Sequence, residues 1–171
     1  MLLEVVLICI WIVLIIQAIT IFKLSRKVSI ENEGIALGFS VPDLKLQTIE
    51  GGIKRLIKML QNEPLTILCM VTPECKFCRK IIPLLEEMQK EANTISVKLL
   101  FLGEESAVKE YLDSNKINIE SFVVSFKVMK SKINISAFPY AMIVNQYGIV
   151  VRKGIINADD VSSWFHQKNS A

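Results

Sequence analysis

The stretch VTPECKFCRKIIP, Val71 to Pro83, decides how this chain is read. It sets two cysteines, Cys75 and Cys78, one helical turn apart, with Lys76, Arg79 and Lys80 beside them. In front of it, LTILCMV (Leu65 to Val71) is a continuous apolar run of strand length, as expected for a strand covered on both faces. Behind it, IIPLLEEMQKEA places apolar residues at helical spacing and predicts a helix ending near Asn93. The cysteine pair is therefore expected where a buried strand ends and a helix begins. That placement has chemical content. A thiol attacks as its thiolate, and a helix N-terminus offers unpaired N–H groups and the positive end of the macrodipole. Cys75 falls in the predicted first turn with three cations nearby, whereas Glu74 works against the thiolate. Cys78 sits one turn further in, placed to attack a mixed disulfide formed at Cys75. Cys75 is thus read as the nucleophile and Cys78 as the resolving thiol.

Outward from this centre the pattern alternates. Val41 to Leu46 suggests a short strand before the Gly51-Gly52 turn, and Ile53 to Gln61 (IKRLIKMLQ) has apolar residues at helical spacing. Ser96 to Leu102 reads as a second buried strand, and Ala107 to Asn115 as a helix. Phe122 to Val124 is a short apolar piece, followed by a helix around Phe126 to Lys132. Tyr140 to Val144 and Ile149 to Lys153 flank Asn145-Gln146-Tyr147-Gly148, a hairpin signal. A last amphipathic helix starts at Ala158-Asp159-Asp160 and runs through Phe165. Strand–helix alternation closed by a hairpin and a helix predicts an α/β sandwich with a mixed sheet.

The chain has 171 residues, 51% of them hydrophobic, with a mean hydropathy of +0.42, high for a wholly soluble domain. The excess is local. Val5 to Phe22, VVLICIWIVLIIQAITIF, is uncharged, and at ~1.5 Å per residue it reaches roughly 27 Å, enough for the hydrocarbon core of a bilayer. A cleaved signal peptide would want basic residues ahead and small residues at a cut site, but the start is MLLE and the exit IFKLSRK. Residues 1–24 are therefore expected to be a retained transmembrane anchor in contact with the membrane through residues 5–22. Residues 25–39 are expected to be a tether, its polar, Gly-containing part spanning Val28 to Phe39, and residues 40–171 the domain. Lys23, Arg26 and Lys27 follow the span, which under the positive-inside rule would put the domain in the cytoplasm. The net charge of +3 is small and comes without a basic stripe interleaved with aromatics, so no nucleic-acid partner is expected. Of the other cysteines, Cys9 lies inside the apolar span and Cys69 inside the strand-like run, so neither extends the pair into a disulfide framework. A zinc site needs about four ligands, and Cys69 and the distant His166 do not complete one, so no metal is expected.

The motifs together resemble the thioredoxin superfamily. Cys-x-x-Cys followed by a basic residue and, five positions after Cys78, by Pro83 is similar to that family's kinked active-site helix. Phe138-Pro139, ahead of the strand YAMIV, matches its cis-proline, and Gly148 and Gly154 match two of its glycines. The longer separation between Cys75 and Pro139, and the opening GFSVPDLKLQTIEGG, resemble the membrane-anchored TlpA/ResA branch, which carries an insertion there. Closer still is the similarity to the methylamine-utilisation accessory (MauD-like) family, with its apolar span, short basic tether and Ser/Thr-Pro-x-Cys-x-x-Cys. The resemblance covers nearly the whole chain. It implies a redox-active Cys75–Cys78 disulfide and no other cofactor. It also implies cysteine-containing protein substrates met at Lys76, Phe77, Phe138 and Pro139, and a membrane or soluble redox partner. The domain of a single-pass membrane protein of this kind would be extracytoplasmic, against the charge rule. Two departures stand out: Glu74 replaces the usual tryptophan, and Cys69 occupies the position of a buried carboxylate that moves protons from the resolving thiol.

The sequence is also compatible with two other functions. Thr72-Pro73-Glu74-Cys75 matches the Thr-x-x-Cys part of the peroxiredoxin motif, so a thiol peroxidase using Cys75 is one, although Leu68 stands where that motif has a proline. A non-catalytic module that holds a partner protein is the other.

Overall fold

A computed structural model describes residues 2–31, 33–91 and 95–166. The chain divides into two units at Gly34. The first is a single helix, α1 (Leu2–Glu31). Its stretch Leu7–Ser25 is long and apolar enough to cross a membrane. Thr20 satisfies its hydroxyl inside the helix, donating to the Ile16 carbonyl at 2.8 Å, so the side chain brings no unpaired polar group into the apolar run. The helix continues through Glu31, into the segment expected to be a tether.

The second unit is an α/β sandwich around one mixed sheet of seven strands, β1 (Lys45–Thr48), β2 (Ile53–Arg55), β3 (Leu65–Val71), β4 (Ile95–Leu102), β5 (Glu120–Val124), β6 (Tyr140–Asn145) and β7 (Val150–Ile155), ordered β2-β1-β5-β4-β3-β6-β7. β3, β4 and β5 are parallel, and β6 runs antiparallel to β3. The interleaved helices are α2 (Leu56–Leu60), α3 (Lys76–Glu91), α4 (Glu105–Asn115), α5 (Phe126–Val128), which passes into a π-turn at Met129–Ile133, and α6 (Ala158–His166). The expected end of α3 near Asn93 and the side chain of His166 lie outside the described residues.

β3 is buried on both sides because its alternate residues serve different layers. Leu68 and Met70 join a core with Leu56, Leu60 and Met129, whereas Ile67, Cys69 and Val71 join one with Ile82, Leu85, Val108 and Val161. This is why it reads as an unbroken apolar run. Each buried Leu or Ile adds about 1.5–3 kcal/mol. The β6–β7 hairpin closes on Gly148, whose φ of +80° suits glycine and whose missing Cβ leaves room for Ile57 and Ser40.

Two expectations are corrected. Ile53 to Gln61 is not one helix: its first three residues pair with β1, Lys45 opposite Arg55, and only Leu56–Leu60 turns into a helix. The apolar spacing was a valid signal for Leu56 and Leu60, but the sheet edge recruited the residues ahead of them. The strand expected over Val41 to Leu46 starts only at Lys45. Val41 and Leu44 are buried all the same, in irregular chain.

Candidate active site

The site is built where β3 stops. Pro73 is buried and Glu74 exposed just after the strand, and the chain then enters α3 at Lys76. Cys75 stands at the helix threshold. Its N–H donates to the Thr72 carbonyl at 3.3 Å, and its carbonyl accepts the Arg79 N–H at 3.2 Å, the first bond of the helical ladder. Its sulfur in turn accepts the Cys78 N–H at 3.1 Å. Cys75 thus occupies a capping position, with its Sγ on one of the N–H groups that a helix start leaves without a partner. A negative charge on that sulfur would be held by this donor and by the helix dipole.

Cys75 and Cys78 are joined as a disulfide, their Cα atoms 5.2 Å apart. The two sulfurs are not equivalent. Cys75 is half-buried, whereas Cys78 is 0% exposed and belongs to the α3-side core. Lys76, Arg79 and Lys80 are exposed around them, and Phe77 stands out between the cysteines at 69% exposure. Pro83, inside α3, withdraws a donor from the helical ladder one turn further on.

Arg79 has a role that spacing alone did not reveal. Its Nε and Nη2 both donate to the Pro73 carbonyl at 3.3 Å, clamping the loop ahead of Cys75 to the helix behind it. Its position one turn after Cys75 is the only sequence signal for this, since that spacing turns the side chain back over the loop. A groove of about 310 Å³ lies beside the clamp, lined by Pro73, Glu74, Arg79, Tyr111 and their neighbours. Burial raises the Tyr111 phenol there, and the Arg79 guanidinium opposes it.

Register brings the second half of the site to the same edge. β3 and β6 pair up to Met70 opposite Tyr140, so Pro139 falls beside the end of β3. The Phe138–Pro139 peptide is cis. Pro139 is buried, and its carbonyl accepts the Ile156 N–H at 3.3 Å. Phe138 is half-buried and packs against the core that contains Cys78. The six residues read from the sequence thus divide in two. Cys75, Cys78, Phe138 and Pro139 share one sheet edge, with Lys76 and Phe77 exposed on the first turn of α3 beside them.

Cys69 lies beneath this edge on β3, between Leu99 and Ala141. It is 0% exposed, and burial pushes its thiol up to about 12, so it stays neutral over the physiological range. Among the described residues no three His, Cys, Asp or Glu side chains converge as a metal site would require.

No family model matches the chain. In sequence it is similar to the methylamine utilization protein MauD of Methylophilus methylotrophus, 23% identical over 135 residues, 78% of this chain. It spans 63% of that protein's length. In structure it is similar to the thioredoxin domain of a thiol-disulfide oxidoreductase from Bacteroides vulgatus, with a TM-score of 0.69 and 16% identity over 78% of this chain and 98% of that one. A secreted Mycobacterium tuberculosis disulfide oxidoreductase is also similar, with a TM-score of 0.61 and 15% identity over 73% and 96% of the two chains.

Proposed function

We propose, from the premise that this chain has a thioredoxin fold, that it is a membrane-anchored thiol-disulfide oxidoreductase acting on cysteines of partner proteins. The observation that carries the reading is the asymmetry of the pair: a partly buried cysteine at a helix N-terminus, bonded to a fully buried one. Cys75 is the sulfur a partner reaches. In the reducing direction its thiolate attacks a substrate disulfide, forming the Cys75–substrate bond and releasing one substrate thiolate. Cys78, as a thiolate, then attacks the Cys75 sulfur. The Cys75–Cys78 disulfide forms, and the second substrate sulfur leaves as a thiolate and takes a proton. The oxidising direction is the same sequence reversed, and the relative stability of the two forms of the pair sets which one runs.

Three features support protein substrates. Cys75 is only partly covered, Phe77 offers apolar contact area, and Phe138-Pro139 lies at the same sheet edge, where an extended chain could meet it. Cys69, held neutral, does not serve as a base for Cys78. The anchor reading rests on α1, whose stretch Leu7–Ser25 has the length of a bilayer crossing. We assign the domain to the extracytoplasmic side, where disulfides persist, against the basic residues Lys23, Arg26 and Lys27. Protease protection in spheroplasts checks that side: digestion of the domain supports it, and protection of the domain refutes it.

The chemistry is tested by trapping. Cys78→Ala, expressed in the source cell and quenched with acid, is expected to accumulate reducible adducts on non-reducing gels, and Cys75→Ala none. Absence of adducts together with a sulfenic acid at Cys75 would instead establish a peroxidase.

A further inference from the structure

The segment that opens the α/β unit is part of its wall rather than slack chain. Gly38 donates to the Val150 carbonyl at 2.9 Å, and Val41 to the Gly148 carbonyl at 2.8 Å, which fixes the segment along the β6–β7 hairpin. Ile35 is half-buried and packs against the core that holds Leu68 and Met70. At the start of the segment, the Gly34 N–H donates to the Asn134 carbonyl at 2.9 Å.

Gly34 also lies directly on Tyr140. Its φ of +74° is one that L side chains rarely adopt. A Cβ added there would fall on the Tyr140 phenol, nearest its Oη and 2.9 Å from the ring carbons Cε1 and Cζ. Tyr140 has little room to step aside. It is fully buried, its backbone paired with Met70 of β3 on one side and Ile155 of β7 on the other, in an interior packed as densely as a crystal. Asn134 and Tyr140 are the residues on either side of Ile135–Pro139, the loop that brings Phe138 and Pro139 to the cysteine edge. Gly34 therefore touches both ends of that loop, by a hydrogen bond at one and by close packing at the other.

We infer that Gly34 is a positioning residue: it pins the Ile135–Pro139 loop and so sets where Phe138-Pro139 meets a substrate chain. The inference rests on the thiol-disulfide reading above. Displacing the pin weakens the grip on an extended chain at this edge. It leaves the Cys75 sulfur as reactive as before, because that sulfur is held by the N–H of its own helix.

The test compares full-length Gly34→Ala and Gly38→Ala with the parent. Gly38 has a φ of +80° in the same segment, but a Cβ there meets nothing within 4 Å, so this variant has the backbone strain without the contact. Each protein is assayed for reduction of insulin, with dithiothreitol as the electron donor, and in its reduced form for reaction with hydroxyethyl disulfide. Gly34→Ala is expected to raise the KM for insulin about five- to tenfold with kcat and the hydroxyethyl disulfide rate kept, because only binding of the chain is weakened. Gly38→Ala is expected to keep the parental KM. Adding Tyr140→Phe to Gly34→Ala removes the atom nearest the new methyl group and is expected to recover most of the loss. An equal rise in KM for Gly38→Ala, or a double variant no better than Gly34→Ala, would overturn the inference and leave the segment a structural brace. Should Gly34→Ala not fold, Ile35→Ala loosens the same segment, and an unchanged KM there would overturn it as well. A parent that reacts with neither disulfide would remove the exchange reading itself, and this inference with it.

Discussion

Cys75 and Cys69 are the same residue type, six positions apart, and their surroundings give them opposite chemistry. Cys75 sits where a strand has ended and a helix has just begun, half-exposed, with the Cys78 N–H on its sulfur. Cys69 sits inside the strand, fully covered, with apolar neighbours and a thiol pushed up to about 12. Reactivity in this molecule is thus set by position in the secondary structure: the end of β3 supplies donors and access, and its middle supplies neither. A third group shows the balance between burial and charge. Glu120 is partly buried, which alone would raise its carboxyl. Hydrogen bonds from Lys54 at 2.6 Å and from Lys98, itself 7% exposed, at 2.5 Å hold it below the usual range instead.

Breaking the comparison at its reactive end has the largest effect. Cys75→Ala and Cys78→Ala are both expected to abolish turnover in a disulfide-exchange assay, and only the second to retain covalent capture of substrate. Next comes Glu120→Gln. It leaves Lys98 buried without a counter-charge, which costs about 1–2 kcal/mol in denaturant unfolding once the partial exposure of Glu120 is allowed for. The sign with pH follows from the lowered carboxyl. Its contribution is present above the ordinary carboxyl range and is lost as pH falls through the depressed value, so the variant should show a shallower loss of stability in acid.

Arg79→Ala removes the clamp on the Pro73 carbonyl and a cation beside Cys75. Attack by reduced Cys75 at neutral pH is expected to slow about three- to tenfold, measured against a small-molecule disulfide by stopped flow. The smallest effect is at Cys69. Cys69→Ala should cost about 1 kcal/mol and leave exchange rates unchanged. Since burial raises this thiol from 9.0 to about 12, its contribution is full below the unfolded value and is lost as pH rises through the folded one. The variant should therefore lose less stability than the parent in alkaline unfolding curves. A change in exchange rate for Cys69→Ala would contradict the division between the two thiols.

What the sequence showed, and what it hid, follows the range of the interactions involved. The junction of β3 and α3 was legible because an apolar run, a cysteine spacing and a helical period are all local signals, and Pro83 and Phe138-Pro139 carry their meaning in one or two residues. The hairpin at Gly148 was legible for the same reason. The strand character of Ile53–Arg55 was hidden, because it exists only through pairing with β1. The π-turn at Met129–Ile133 looks like plain helix in the sequence, since the burial of Met129 and Ile133 fits either geometry. Arg79 was visible as a cation but not as a clamp. Lys98, an ordinary polar residue in SVKLLFL, gave no sign that it would be buried against Glu120.

The central claim, that Cys75 is the reactive thiol because it caps a helix while Cys78 and Cys69 are buried, is most directly tested by alkylation. Fully reduced native protein would be treated with iodoacetamide at neutral pH, with modification followed over time at each cysteine by mass spectrometry. The account predicts that Cys75 reacts first and that Cys78 and Cys69 stay unmodified until the protein unfolds. Modification of Cys78 or Cys69 ahead of Cys75 would contradict it.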